Sequence, residues 1–292
     1  MNQSSSLLSR LSALFKRAEP DLTTLTPEQI AQRITLPFAD LIAPDLSICW
    51  KNNLYFQHLY DLPRSALSGP VQEDKAEAHR FLAHIVTKTI DTERVVDLRE
   101  IFGLSESIYS EQQHDLESFA ASEQCRHVRI ISYRDFEKTI TQAIPHFLSD
   151  QPINLRQANW LGDHLFWASE QHSCELACAV VYAKRRGLDL PKRSYISRYA
   201  LNTGALKLLN KHYHVLIMPE QAWSNGPFMA LLVGSSIPYA RLTLTKSPVQ
   251  SEVLLLPRHK KLSDSLGKGL KLAGAHDATE FMLKLIQDGN LP

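Results

Sequence analysis

The sequence predicts an α+β protein with a helical, irregular N-terminal half and a mixed-sheet C-terminal half. Three observations lead there. Apolar residues recur at helical spacing in the first ninety or so positions, whereas short apolar or alternating runs dominate after Gln124. Ser105 to Glu123 is polar and acidic with little apolar periodicity, which places a boundary between regions 1–123 and 124–292. Hydrophobic residues make up 44% of the 292 and charged residues 22%, ordinary globular usage that supports one large or two modest cores.

Taken in order, Leu7, Leu8, Leu11, Leu14 and Phe15 form one helical stripe with Arg10, Lys16 and Arg17 off it. This is a short basic amphipathic helix, expected to dock on its own core. Thr26 as cap, Pro27 at the first helical position and Gln29 completing a capping box mark the next helix, with Leu25 placed to staple against Ile30. Pro37 and Pro44 break that pattern. Ser47 to Tyr60 is aromatic-rich with strand character, and Pro63 to Pro70 reads as an exposed loop. Phe81, Leu82, Ile85, Val86 and Ile90 then give a helical face, approached by Glu73, Asp74, Glu77 and Arg80.

In the second half Val128 to Ile131 reads as a strand, Asp135 as the cap of a helix carrying Phe136 and Ile140, and His164 to Trp167 as another strand. A helix follows from about Ser169 to Arg186. Its basic end and Gly187 suit the macrodipole and a left-handed cap, and its middle, Leu176 to Ala183, is apolar all round and therefore buried. Tyr195 to Ala200 and Tyr213 to Met218 are strands flanking a short helix capped by Thr203. Phe228 to Val233, Tyr239 to Thr245 and Glu252 to Leu256 are successive strands of an antiparallel section. A last helix has Asp277 as cap, Glu280 three residues on, and Gly289 as stop.

With Lys+Arg 32 against Asp+Glu 31 the net charge is +1, so no global field draws the chain to nucleic acid or anionic lipid. The longest apolar runs fall far short of the roughly eighteen residues a spanning helix needs, and no membrane span is expected. The start lacks the pattern of a secretory signal, and four cysteines are too few for a disulfide scaffold of this size, so a reducing cytoplasm is the expected location.

The densest chemical constellation runs from Trp160 to Cys178 and places Asp163, His172, Cys174 and Glu175, with Glu170, around a strand end and a helix start. Backbone amides there favour an anion or a thiolate. Solvated polar residues at a capped helix start explain the same pattern more simply. Cys174 and Cys178 are four apart and share a helix face, but no complete ligand set accompanies them, so they are read as packing rather than metal ligands. A Cys174 nucleophile with a histidine base is the sharper alternative. His212 and His214 alternate on an expected strand and are read as a polar face. Arg185 and Arg186, with Arg258, Lys260 and Lys261 followed by Lys268 and Lys271, are the residues that would contact phosphates. Gly267-Lys268-Gly269 is not a P-loop, since Leu262 stands where its first glycine belongs, and no cofactor is expected.

The run Ser173-Cys174-Glu175-Leu176-Ala177-Cys178-Ala179, then Gly187 and Pro191, lies in a segment, Val128 to Met218, that resembles the N-terminal domain of ParB partition proteins and the sulfiredoxin-like fold. In sulfiredoxins a Gly-Cys-His-Arg box opens an Ala-rich helix, and its His-Arg pair contacts nucleotide phosphates. Glu175 and Leu176 hold those positions here, and a carboxylate repels phosphate, so the resemblance implies the fold without nucleotide binding. The whole chain also resembles bacterial proteins of unknown function that carry a Phe-Trp-Ala-Ser then His segment, here Phe166 to Ser169 and His172.

Three functions are compatible with these residues. The leading expectation is a non-catalytic binding or adaptor protein with a protein partner, because no complete catalytic motif is present. The second is an enzyme acting on a phosphate-containing or thiol substrate at the Asp163 to Cys178 region. The third is an accessory protein making weak, non-specific nucleic-acid contacts.

Overall fold

A computed structural model describes residues 25–105, 114–245 and 251–289. The basic stripe at residues 6–17 lies outside the described residues. Helix α1 (Pro27–Arg33) starts as its capping box requires: the Thr26 hydroxyl accepts from the Gln29 amide, and the Gln29 side chain accepts from the Thr26 amide. Helix α2 (Gln72–Leu82) is followed at once by β1 (Val86–Asp97) and β2 (Ile101–Gly103). Then come α3 (Leu116–Ala120), α4 (Tyr133–Ala143), β3 (Ile153–Ala158), β4 (Leu165–Trp167), α5 (Ser173–Arg186), β5 (Pro191–Leu201), α6 (Thr203–His212) and β6 (Tyr213–Met218). The chain closes with α7 (Gly226–Met229), β7 (Ala240–Thr245), β8 (Ser251–Pro257), α8 (Lys261–Leu272) and α9 (Ala278–Gly289).

The fold is α+β, as the pattern predicts, with two sheets. The five-stranded sheet runs β1-β5-β3-β4-β2 and is mixed, with β1/β5 and β3/β4 antiparallel and β5/β3 and β4/β2 parallel. The second sheet, β6-β8-β7, is antiparallel throughout. Strands β1 and β2 precede residue 123 and pair with strands that follow it, so the first sheet is built from both sides of that position.

Helix α5 is the centre of the first core. Leu176, Ala177, Ala179, Val180 and Ala183 are fully buried, packed with α3, α4 and the sheet. A Leu or Val removed from water in this way contributes about 1.5–3 kcal/mol, so the all-round apolar middle of α5 anchors everything its first turn carries. Gly187 ends the helix in the left-handed region at φ 65°, donating to the Ala183 and Lys184 carbonyls. Among the described residues no helix is long and apolar enough to cross a membrane.

Several local expectations are corrected. Ile85, Val86 and Ile90 do not continue a helix: Val86 opens the 12-residue β1, where β-branched residues suit the pleat. Ser47 to Tyr60 forms single 3-10 turns rather than a strand, with Asn53 holding the Ser47 amide and the Ser47 and Cys49 carbonyls. Val128 to Ile131 is irregular, and Ser132, not Asp135, caps α4; the Asp135 carboxylate accepts from the Ile131 and Ser132 amides, which removes donors a strand would have used. Phe228 to Val233 is helical because Asn225 caps the Phe228 amide and Pro227 fits the first turn. The cap of α6 is Asn202, one residue before the expected Thr203.

Candidate functional site

The start of α5 is built by an unusual turn. His172 occupies the left-handed region at φ 59° and ψ 33°, a conformation that costs a non-glycine residue on the order of 1 kcal/mol. The turn aims the His172 carbonyl into the helix, where it accepts from the Leu176 amide at 3.0 Å. The imidazole is left outside, without capping the helix.

Glu175, in the first turn, is the meeting point of three elements. Its Oε1 lies 3.6 Å from His172 Nδ1, 3.9 Å from His127 Nε2 and 3.3 Å from Gln142 Nε2 of α4. The Glu175 side chain is only 12% exposed, against 41% and 64% for the two imidazoles. A carboxylate placed so stands beside the positive end of the helix and faces two imidazoles.

Behind it, three of the four cysteines converge. Cys174 and Cys178 share one face of α5, and Cys125, from the single turn at Glu123–Cys125, packs against both. Cys125 and Cys178 are neighbours, and their interaction pushes the Cys125 titration well up while lowering that of Cys178. Burial raises both thiols, yet for Cys178 the interaction with Cys125 outweighs burial and the repulsion from Cys174 and Glu175. The Cys178 S–H donates to the Ala120 carbonyl at 3.8 Å. Cys125 is 1% exposed and Cys178 half-buried.

Cys178 also forms part of a surface cavity of about 190 Å³. Ala120, Val128, Ile130 and Val181 supply apolar walls. At the rim Arg185 stands 4.0 Å from Glu117. The irregular Val128 to Ile131 stretch is thus a wall of this cavity rather than a strand.

The expected site residues are not all brought together. His172, Cys174 and Glu175 share the first turn of α5 and the residue before it. Asp163 lies at the other end of β4, exposed, in a second left-handed turn (φ 54°) after Gly162. Cys125, His127 and Gln142 join the cluster without sequence proximity; the only signal for them was residue type. Among the described residues no group of three His, Cys, Asp or Glu side chains is arranged to hold a metal ion.

The basic residues also separate. Arg186 lies over the Tyr182 ring, and Arg258 is turned inward, its guanidinium donating to the Asn210 and Tyr213 carbonyls and to Asn210 Oδ1. Lys260 and Lys261 are exposed at the start of α8. His212 ends α6 and stacks near Phe81, so it does not pair with His214. His214 is 1% exposed in β6, 2.8 Å from Asp264 Oδ1 and 3.2 Å from Arg258. A Cβ at Gly267 would stand 2.3 Å from the His214 ring, and one at Gly269 2.5 Å from Ile30. The Gly-Lys-Gly run is thereby explained by close packing of α8, not by phosphate.

Residues 91–292 match the model of a family of unknown function, DUF6685. The chain belongs to this family. No curated protein and no solved structure matches it, and the likeness to ParB and sulfiredoxin gains no support. Leu176, which stands where that box has its arginine, is fully buried in the first core. The DUF6685 match takes in most of β1 and everything after it, so the α5 cluster and its cavity lie inside the family's segment.

Proposed function

We propose that this DUF6685 protein performs thiol chemistry at the start of α5, with the Cys178 thiolate as the reacting group. One observation carries the reading: a half-buried thiol, its titration lowered by the buried Cys125 beside it, lines a surface cavity of about 190 Å³. This favours the thiol-substrate reading over the phosphate one, because Glu175 places a carboxylate at the helix end a phosphate would need. It also stands ahead of the adaptor and nucleic-acid readings, for which the geometry adds no comparable feature.

The roles follow from position. Cys125 lowers the titration of the neighbouring Cys178 thiol. Glu175 adds a small repulsion at Cys178 and is flanked by His127 and His172. The test is alkylation of the reduced chain with limiting iodoacetamide at pH 7, followed by peptide mass spectrometry. Cys178 should be labelled first, with a pH midpoint below that of an ordinary thiol, and Cys178→Ser should remove the fast phase. Equal, slow labelling of all four cysteines would overturn the proposal.

A further inference from the structure

The cavity over Cys178 says what kind of molecule it would receive, and the buried thiol behind it says what would follow. Ala120, Val128, Ile130 and Val181 give the cavity apolar walls, and its volume of about 190 Å³, below the usual range of ligand pockets, suits only a compact tail. Cys178, Val181 and Arg185 recur along one face of α5, so the thiol forms part of a lined recess rather than standing on an open surface. Cys125 packs beside the same sulfur and is shielded from solvent. One thiol is open to a substrate and one is reachable only from Cys178 and Cys174.

We infer that the cavity receives an organic hydroperoxide with a compact apolar tail, that Cys178 reduces it, and that Cys125 resolves the product as a Cys125–Cys178 disulfide. The inference rests on the thiol reading above. In the first step the Cys178 thiolate attacks the terminal oxygen of the hydroperoxide; the O–O bond breaks, an S–O bond forms, and the alkoxide takes a proton and leaves as the alcohol. In the second, the Cys125 sulfur attacks the Cys178 sulfenic acid. The Cys125 proton goes to the departing hydroxide, which leaves as water, and the S–S bond forms. Two thiols are oxidised by two electrons, and the hydroperoxide is reduced to alcohol and water. Cys174 is placed less well to resolve, because it sits one turn away on the same helix, where the two Cβ atoms run parallel.

The experiment uses the full reduced chain, with cumene hydroperoxide and hydrogen peroxide as paired oxidants. Thiol loss is followed in time, dimedone traps sulfenic acid, and peptide mass spectrometry locates the disulfide. Cumene hydroperoxide should react at least about tenfold faster at Cys178, the factor a few buried methylenes supply. Ile130→Ser, at a half-buried wall position, should narrow that ratio by slowing the cumene hydroperoxide reaction. Cys125→Ser should accumulate dimedone-labelled Cys178 in place of the disulfide. Equal rates with the two peroxides, alongside fast alkylation of Cys178, would overturn the cavity inference and leave the thiol reading standing. A Cys174–Cys125 bridge would overturn the assignment of the pair. Slow alkylation together with no peroxide reaction would remove both.

Discussion

Two polar clusters in this molecule use similar side chains to opposite ends. At the start of α5, Glu175 meets His127 and His172 beside three cysteines, at distances of 3.6–3.9 Å to the imidazoles and with a cavity on one side. Beside α8, His214 meets Asp264 at 2.8 Å and Arg258 at 3.2 Å, Arg258 is held by Asn210, and Asp264 by Lys268 at 2.7 Å. The second cluster is closely paired, with only His214 Nδ1 left without a partner among the described residues. The first keeps loose contacts, an accessible thiol and a backbone turn in a sparsely populated conformation. Side-chain type therefore does not separate a working site from a packing device; the degree of internal satisfaction does.

The comparison is broken most severely by removing the scaffold of the open cluster. Val180→Asp places a charge in the fully buried middle of α5, with no partner to receive it, at a cost on the order of several kcal/mol. Thermal denaturation should show a large loss of midpoint or no folded protein, and fast alkylation of Cys178 should go with it. An unchanged midpoint would mean that α5 is not the anchor of the first core.

Gly267→Ala probes the closed cluster in the same way. A helix ordinarily gains about 1 kcal/mol from glycine to alanine, but here the new methyl stands 2.3 Å from the His214 ring, and overpacking of that kind costs about 1–3 kcal/mol. A net destabilisation of up to about 2 kcal/mol is expected, seen in denaturant midpoints, with no effect on Cys178 reactivity. Stabilisation by the substitution would show that the ring moves freely and that the cluster is not closed.

This second cluster shows why the site was only partly legible in the sequence. Gly267-Lys268-Gly269 could be excluded as a P-loop by its spacing, but the reason for each glycine lies in His214 and Ile30, tens to hundreds of residues away. In the same way His172, Cys174, Glu175 and Cys178 were visible because they stand close together in the sequence at the start of one helix. Cys125 and His127 were not, because only tertiary packing of a 3-10 turn against α5 brings them there. The fold class, the Thr26 and Gly187 caps and strands β6 to β8 followed from local signals, whereas the caps of α4 and α6 fell on neighbouring residues. The strand β1 did not, since Phe81 to Ile90 satisfies helical spacing as well as the β-branched run that the sheet selects.

A pH series sharpens the contrast further. Burial lowers the His214 titration below its ordinary 6.5, against the pull of Asp264. The neutral ring donates Nε2–H to Asp264, while Nδ1 has no partner among the described residues, so protonating it would bury an unmatched N–H. The unfolded chain then binds a proton near pH 6.5 that the folded chain refuses. Stability is full above that pH and declines as pH falls toward the lowered folded value. Asp264 is raised by burial but lowered more by Lys268 and His214, so its contribution is lost in a second step below its ordinary 3.8. Denaturant midpoints from pH 8 to 3 should show both declines, and His214→Gln should abolish the first. A flat profile above pH 5 in the unaltered protein would contradict the neutral, closely paired reading of this cluster.

The smallest effect belongs to the open cluster and tests whether its charge is felt at the thiol. Glu175 raises the Cys178 titration by repulsion, and of the four influences on that thiol it ranks last, behind Cys125, burial and Cys174. Removing the charge in Glu175→Gln should therefore lower the Cys178 titration slightly, since a neutral neighbour no longer opposes the thiolate. Two consequences run in opposite directions. At pH 7 more of the thiol is ionised, and alkylation should rise by roughly twofold. Above the titration, where ionisation is complete in both forms, a less basic thiolate is a weaker nucleophile, and the rate should fall below that of the unaltered protein. The two pH–rate profiles for iodoacetamide should cross, while Glu175→Asp, which keeps the charge, should follow the original curve. Parallel profiles without a crossing would mean that Glu175 acts on Cys178 through packing, and that the two histidines around it have no electrostatic route to the thiol.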